Sequence, residues 1–346
     1  RWQALCRLLV SRHTAITQEK TVEATKAATT MMRVLFAGTP EFAVEHLNGL
    51  IAHPDISVVA VVTQPDRPGK RGKKLIASPV KHCALEAGLT VLQPTRLQAK
   101  HLAGFSFDLL IVVAYGQILK PEVLALPRIG PINVHASLLP RWRGAAPVQR
   151  AILAGDQTTG VTIMKMAEGL DTGPIISVQP CNISSNETSD SLFKKLASLG
   201  REALLHAVET IAETGLVAKP QPESGVTYAH KILKAEAKID WSMNSTLICQ
   251  HIRAFVPDPV AFTNQGETRF RCYGAEVAPS QPDNATPTPA PGTIVERSKT
   301  GIRVQCGEGQ LYITQLQSPT GKGTIVQGSN LKNLQTKLLD PGERFE

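Results

Sequence analysis

From Arg33 onward the chain alternates between compact apolar runs and stretches whose apolar residues recur every three or four positions. Arg33-Val-Leu-Phe-Ala37 is a buried-strand run stopped by Gly38-Thr-Pro40. Thr39 is set to cap a helix with Pro40 at its first position, and Phe42, Val44, Leu47 and Leu50 follow at roughly helical spacing. Ile56 to Val62 is a second β-branched run, Pro79 to Ala87 reads as a helix and Val91-Leu92 as a short strand. Asp108 to Val113 has the apolar character of a central parallel strand. Another strand over Ile132 to His135 is followed by a helix from Ala145 to Leu153 and strands over Gly160 to Met166 and Pro174 to Val178. Thr188 to Glu213 is a long helix. Strands separated by helices predict a doubly wound α/β sheet over residues 32–217.

The pattern then changes. Lys219-Pro-Gln-Pro-Glu-Ser-Gly225 has the composition of a linker, which we place over residues 218–238. After Asp240-Trp241 and a helix near Leu247 to Phe255, short strands around Ile294, Arg303 and Tyr312 are punctuated by Gly and Pro. Pro282 to Pro291 is a Pro/Thr/Asn-rich loop. Residues 239–346 therefore read as a small β-barrel domain. Residues 1–31 stand apart. Arg1 to Gln18 hold three Arg and no acidic residue, the composition of a mitochondrial transit peptide. The first residue is not Met, and Met31-Met32 directly precede the first strand, which fits instead an upstream extension with no structure of its own.

Composition narrows the class. A length of 346 residues accommodates two cores, and 42 % hydrophobic with 19 % charged residues is ordinary for a globular protein. No apolar run approaches the roughly 18 residues of a membrane-spanning helix. Six scattered cysteines with no CxxC pair argue against a disulfide framework or a zinc site and suit a reducing compartment. That compartment is the cytoplasm, or a mitochondrial matrix if the first 30 residues are a transit peptide. The net charge of +8 is uneven: residues 33–150 carry fourteen basic and seven acidic side chains, whereas residues 239–346 balance ten against ten. Clustered cations gain from counterion release on a phosphate backbone, so a polyanionic partner is one reading; solubility is the other.

Candidate chemistry begins in Pro131-Ile-Asn-Val-His-Ala-Ser-Leu-Leu-Pro140. Strand side chains alternate, so Asn133 and His135 share one face at the carboxyl edge where open α/β sheets bind their ligands. An imidazole can take or give a proton near neutral pH, and an amide NH₂ can hydrogen-bond an oxygen that gains negative charge. The pair suits acyl or formyl transfer to an amine; it equally suits the polar end of a strand. Asp171, in the turn Glu168-Gly-Leu-Asp-Thr-Gly-Pro174, could orient His135 or simply form an Asx-turn. Gln64 to Lys74 holds five cations, Arg67, Lys70, Arg71, Lys73 and Lys74, in a Gly/Pro loop after a strand, either a phosphate clamp or solvated surface. Arg141 and Arg143 flank Trp142 and can meet phosphate or lie in a surface turn. Gly38-Thr-Pro40 lacks the G-x-G-x-x-G of a dinucleotide-dependent oxidoreductase. A non-catalytic RNA-binding role leaves the Asn, His and Asp unexplained, and 5 % aromatic residues offer few stacking platforms.

Taken together, FAGTPEFA (36–43), QPDRPGKRGKK (64–74), VVAYGQIL (112–119), NVHASLLPRWRGAAPVQRAI (133–152), GDQTTGVTIMKMAEGLDTG (155–173), TYAHKI (227–232) and KIDW (238–241) resemble the methionyl-tRNA formyltransferase family. The resemblance runs in order from Met32 and weakens after about Phe262. It implies a Rossmann-like formyl-transfer domain followed by a barrel of oligonucleotide-binding type, with 10-formyltetrahydrofolate as donor, methionyl initiator tRNA as acceptor and no metal. By position, Asn133, His135 and Asp171 resemble the catalytic trio. Ser137, Leu138, Leu139 and Pro140 would lie against the folate, and the main chain of Val113, Ala114, Tyr115 and Gly116 would border its pterin. The basic loop, with Arg141 and Arg143, would meet tRNA, and the protein would act as a monomer. A formyltransferase for a small amine, such as glycinamide ribonucleotide or an amino sugar, would use the same chemistry but would need neither the basic loop nor the appended barrel. Replacing Arg71 and Lys73 together by Ala is expected to raise the KM for tRNA and flatten its salt dependence; an unchanged KM would remove the loop from recognition.

Overall fold

The run Met32–Gly38 forms strand β1, apolar on both faces because it lies in the middle of a sheet covered on two sides. In this computed structural model the described residues are 31–69, 75–279, 288–319, 323–332 and 337–346. The extension assigned to residues 1–31 lies outside them except for Met31, as do Lys70, Arg71, Lys73 and Lys74 and most of the loop over Pro282 to Pro291. After β1 come helix α1 (Glu41–Ala52), β2 (Ile56–Val62) and the two short strands β3 (Arg67–Pro68) and β4 (Leu75–Ile76). Next are α2 (Pro79–Glu86), β5 (Val91–Leu92), β6 (Leu109–Val113), α3 (Pro121–Leu124) and β7 (Gly130–His135). They are followed by β8 (Arg143–Gly144), α4 (Pro147–Leu153), β9 (Thr158–Lys165), β10 (Ile175–Asn182) and the long α5 (Ser189–Thr214).

The main sheet has the order β10-β9-β7-β6-β1-β2-β5. The five strands from β7 to β5 run parallel, and β9 and β10 add an antiparallel edge. The chain winds outward from β1 through β2 to β5, then returns to the other side of β1 as β6. Between β1 and β6 the winding reverses, and the crevice beyond their carboxyl ends is where such sheets hold ligands. One core fills the face under α1 and α5, with Val34, Phe36, Leu109, Ile111, Ile132 and Val134 fully or almost fully buried. A second lies on the opposite face around Leu35, Leu110, Leu97 and Tyr115.

Helix α5 presents Leu192, Leu196, Leu204, Val208 and Ile211 as one buried stripe at helical spacing. Each such side chain contributes about 1.5–3 kcal/mol. Thr188 caps it: its hydroxyl accepts from Ser191 N at 3.2 Å, and Ser191 Oγ accepts from Thr188 N at 3.0 Å. The expected cap of α1 is absent. Pro40 occupies the cap position without a side-chain bond, while the Thr39 hydroxyl donates across the sheet edge to Tyr115 O at 3.0 Å. The Thr39 hydroxyl thus serves a long-range carbonyl rather than the first turn of the helix.

Beyond α5 the chain returns along the first unit as β11 (Tyr228–Ala229) before entering α6 (Ser245–Ala254). The carboxy-terminal unit contains β12 (Ala261–Gln265), β13 (Thr268–Val277), β14 (Ile294–Arg297), β15 (Ile302–Gln305), β16 (Gln310–Gln317), β17 (Ile325–Gln327) and helix α7 (Ser329–Lys332). Its antiparallel sheet runs β12-β13-β16-β15-β14, with β17 also on β16, and register shifts bend β13 around Gly274. The core inside holds Trp241 stacked on Phe345 at 5.6 Å, with Phe270, Ile302, Ile313 and Leu316. The two units meet where Ser189 Oγ donates to Ala254 O at 2.6 Å and Arg150 pairs with Glu236 at 2.7 Å.

One polar side chain sits deep under α1. His46 is fully buried, donates from Nδ1 to Phe42 O at 2.8 Å, and has no partner at Nε2 among the described residues. Burial lowers its pKa from 6.5 to about 4; the Phe42 carbonyl pulls the other way and the Arg201 charge adds to the lowering. The folded protein thus keeps this ring neutral where the unfolded chain would protonate it. Stability present above pH 6.5 is lost as pH falls toward 4, by roughly 3 kcal/mol. Urea unfolding at pH 7 and pH 4.5 is expected to show a smaller difference for His46→Leu than for the wild type; equal differences would exclude His46 as the source.

Candidate active site

Strand β7 ends in His135, 6 % exposed, with Asn133 two residues earlier on the same face and 9 % exposed. Asn133 lies opposite Val112 of β6 and Met164 of β9, which places it in the sheet centre beside the switch point. The imidazole has two polar neighbours. Its Nε2–H donates to Trp142 O at 2.8 Å, since a carbonyl only accepts, and its Nδ1 faces Asp171 Oδ2 at 3.6 Å. A neutral ring satisfies the carbonyl alone; a protonated ring presents a second N–H to the carboxylate.

Neither neighbour is held by its own local sequence. Trp142 is left-handed, with φ 63°. Its N–H donates to Thr227 Oγ1 at 2.9 Å and its indole N–H to Asp156 Oδ2 at 2.8 Å. Asp171 is also left-handed, with φ 50°, and its Oδ2 accepts from Gly144 N at 2.8 Å. Such backbone persists only where surrounding contacts determine it. The contacts come from the returning chain: β11 pairs parallel with β8, Tyr228 opposite Arg143 and Ala229 opposite Gly144. Arg143 N donates to Thr227 O and Ala145 N to Ala229 O, both at 2.9 Å.

The turn after β7 is consumed internally. Ser137 is fully buried; its Oγ donates to Arg141 O at 2.6 Å, and its carbonyl accepts from Thr162 Oγ1 at 2.7 Å. Thr162 Oγ1 also accepts from Leu139 N at 3.2 Å. Leu138 and Pro140 are half-buried, Leu139 is buried, and the Leu139-Pro140 bond is cis. Arg141 is held by Asp156, donating from Nε at 2.9 Å and Nη2 at 2.6 Å, and lies over the Trp142 ring. Arg143 donates from Nε at 3.0 Å and Nη2 at 2.6 Å to Gln221 Oε1. Both guanidinium groups thus have partners inside the protein.

Across the crevice, β6 ends in buried Val113, and the main chain continues through Ala114 (φ 46°) and Gly116 (φ 79°), both exposed on either side of buried Tyr115. Gln64 Nε2 and Thr39 Oγ1 both donate to Tyr115 O, at 2.9 and 3.0 Å. A Cβ on Gly116 would meet only the end of the Gln64 side chain, so it is the φ of 79° that favours glycine here. The stem of the basic loop is fixed by Asp66, which accepts from Lys81 Nζ and Gln93 Nε2 at 2.7 Å each; Arg67 is exposed and donates to Gln64. The stem is thereby tied to Gln64 and to the same crevice. Among the described residues no cluster of His, Cys, Asp and Glu could hold a metal ion, and no helix is long and apolar enough to cross a membrane.

Gln64, Asp156, Thr162, Gln221 and Thr227 belong to this site through contacts 14 to 85 residues apart along the chain. Nothing in their local pattern marks them; only the fold brings them in.

The class is that of the formyltransferases, on the following matches. A family model described as formyl transferase matches residues 32–208, and one described as formyl transferase, C-terminal domain, matches residues 231–331. Methionyl-tRNA formyltransferase of Pseudoalteromonas translucida (strain TAC 125) is 49 % identical over 318 residues, covering 90 % of this chain and 96 % of that protein. The corresponding enzyme of Pseudomonas syringae pv. tomato is 48 % identical over 295 residues, covering 84 % and 91 %. The chain belongs to the methionyl-tRNA formyltransferase family, and is a one-carbon group transferase. An N-formyltransferase from Helicobacter canadensis, solved with folinic acid and dTDP-3-aminofucose, superposes with a TM-score of 0.62 at 18 % identity, over 82 % of this chain and 99 % of that one; this likeness is one of fold.

Gly144 tests how tightly the returning chain is fitted. Its φ is 120°, and an added Cβ would lie 2.8 Å from Ala229 O. Gly144→Ala is expected to cost about 1–3 kcal/mol in chemical unfolding and to depress formyl transfer, because the N–H given to Asp171 moves with it. An unchanged unfolding midpoint would show that β11 yields without cost.

Proposed function

We propose that the chain transfers the formyl group of 10-formyltetrahydrofolate to the amino group of methionyl initiator tRNA, with Asn133, His135 and Asp171 as the catalytic residues. The observation that carries this reading is the buried His135, set against Asp171 Oδ2 at 3.6 Å, two residues beyond Asn133 at the carboxyl end of a central strand. The donor fits the crevice by its chemistry. A fused ring edge that alternates donors and acceptors is recognised by main-chain groups, and Val113 to Gly116 run past the sheet edge through two exposed left-handed residues. Leu138 and Pro140 offer half-buried apolar surface beside it. When bound, the folate supplies an activated formyl carbon on a leaving nitrogen.

The chain's residues then divide the work. The amine must arrive neutral, and its nitrogen forms a bond to the formyl carbon while the carbonyl electron pair moves to oxygen. The Asn133 NH₂ and the His135 cation stabilise that oxygen in a site from which water is largely excluded. Collapse re-forms the carbonyl and breaks the bond to the leaving nitrogen. The proton lost by the amine is returned to that nitrogen, with His135 as the relay and Asp171 fixing its ring. The basic residues Arg67, Lys70, Arg71, Lys73 and Lys74 meet the acceptor end of the tRNA, with the charge of Arg141 and Arg143 behind them. The carboxy-terminal unit acts as the tRNA-holding barrel of a monomeric, cytoplasmic enzyme.

The test offers charged initiator tRNA, charged elongator methionine tRNA and small amines side by side with labelled 10-formyltetrahydrofolate. Selective labelling of the initiator species supports the reading; labelling of a small amine instead would overturn the acceptor. His135→Ala is expected to lose roughly 10²–10⁴-fold in kcat with folate binding intact. More than a tenth of wild-type turnover would remove His135 from proton transfer.

A further inference from the structure

Gln221 lies in the returning chain, 50 residues beyond Asp171, and its amide joins the Asp171 turn to Arg143. Its Nε2 donates to Asp171 O and to Gly173 O, both at 2.8 Å. Its Oε1 accepts the two N–H groups of Arg143 at 3.0 and 2.6 Å. Arg143 directly precedes Gly144, whose N–H is the one held by Asp171 Oδ2. One side-chain amide thus fixes the main chain of Asp171 on one side and the strand that anchors its carboxylate on the other. The position needs an amide, since only that group both donates to two carbonyls and accepts from a guanidinium. The turn also needs an external tie. Asp171 has φ 50°, outside the regions an L residue prefers, and Gly173 is packed so closely that a Cβ would lie 1.8 Å from Lys165 O.

We propose that Gln221 is a positioning residue for the formyl transfer: it holds the Asp171 turn so that the carboxylate faces His135. Because it sits on the segment that leads to the carboxy-terminal unit, the orientation of the catalytic ring depends on that segment being seated along β8. The pocket of about 420 Å³ beside it, lined by Arg143, Thr172, Pro174, Gln221, Glu223 and Val226, is where the segment and the turn meet. The inference rests on the reading of Asp171 as the group that orients His135.

The experiment uses the full chain with Gln221→Leu, which removes every polar contact, and Gln221→Glu, which keeps the acceptor for Arg143 but loses both donors to the turn. Each is combined with Asp171→Asn. Single-turnover transfer to charged initiator tRNA is expected to fall on the order of 10–100-fold in either Gln221 variant, with the KM for folate unchanged. In the Asp171→Asn background the same substitutions are expected to change the rate less than about twofold, because the group they position is already lost. A readout without substrate accompanies this: in protein carrying isotope-labelled histidine, the His135 ring resonances of Gln221→Leu should move toward those of Asp171→Asn.

Full additivity of the two substitutions, or His135 resonances that stay at their wild-type positions in both Gln221 variants, would overturn the proposal. So would unfolding of both variants, which would make Gln221 a stability residue. A wild-type protein that transfers no formyl group to tRNA while its His135 resonances still respond to Gln221 would sink the functional reading and leave the positioning role standing.

Discussion

Asp171 Oδ2 is shared between a main-chain N–H and an imidazole, and most of the surrounding construction serves that one oxygen. A carboxylate held only by its own rotamer would turn toward solvent, since Asp171 retains 18 % side-chain exposure. The Gly144 N–H at 2.8 Å prevents that. Such a bond to an ionised acceptor is shorter and stronger than a neutral one. It leaves the oxygen's remaining lone pairs pointing at His135. Trp142 O then closes the other side of the ring at 2.8 Å. The imidazole lies between two acceptors, the Trp142 carbonyl and the Asp171 carboxylate.

Two left-handed residues, Trp142 and Asp171, are the cost of this geometry. Each sits where L side chains are disfavoured by about 1–2 kcal/mol. Each is offset by contacts from elsewhere in the chain. Trp142 has Asp156 at its indole and Thr227 at its amide, while Asp171 has Gln221 at its carbonyl and Gly144 at its carboxylate. Asp156 does double duty, since it also holds the Arg141 guanidinium that covers the same indole. The arginines that look, in the linear sequence, like free hands for a polyanion are in the folded molecule partly structural.

The alternation of apolar runs and helical stripes made the doubly wound sheet legible, because a strand buried on both faces has little choice but to be uniformly apolar, as at Leu109 to Val113. Asn133 and His135 were placed on one face by the two-residue period of a strand. Thr39 does not cap although its local cue, Pro at the next position, is real: Pro40 itself takes the cap position, and the Thr39 hydroxyl donates to a carbonyl 76 residues away. The linker composition at Lys219 to Gly225 carries no trace of where such a chain lies. Gln221, Thr227 and Ala229 acquire their roles only by pairing across the fold. A glutamine between prolines has no signature of its own.

The two matched family regions end and begin at residues 208 and 231, and the stretch between them contains every residue of the strap that closes the site. The segment between the two matched regions therefore supplies contacts to the turn that holds Asp171 and to the strand beside it. A chain cut at residue 208 would keep every strand of the main sheet yet lose both the Gln221 amide on the Asp171 turn and the parallel strand along Arg143 and Gly144.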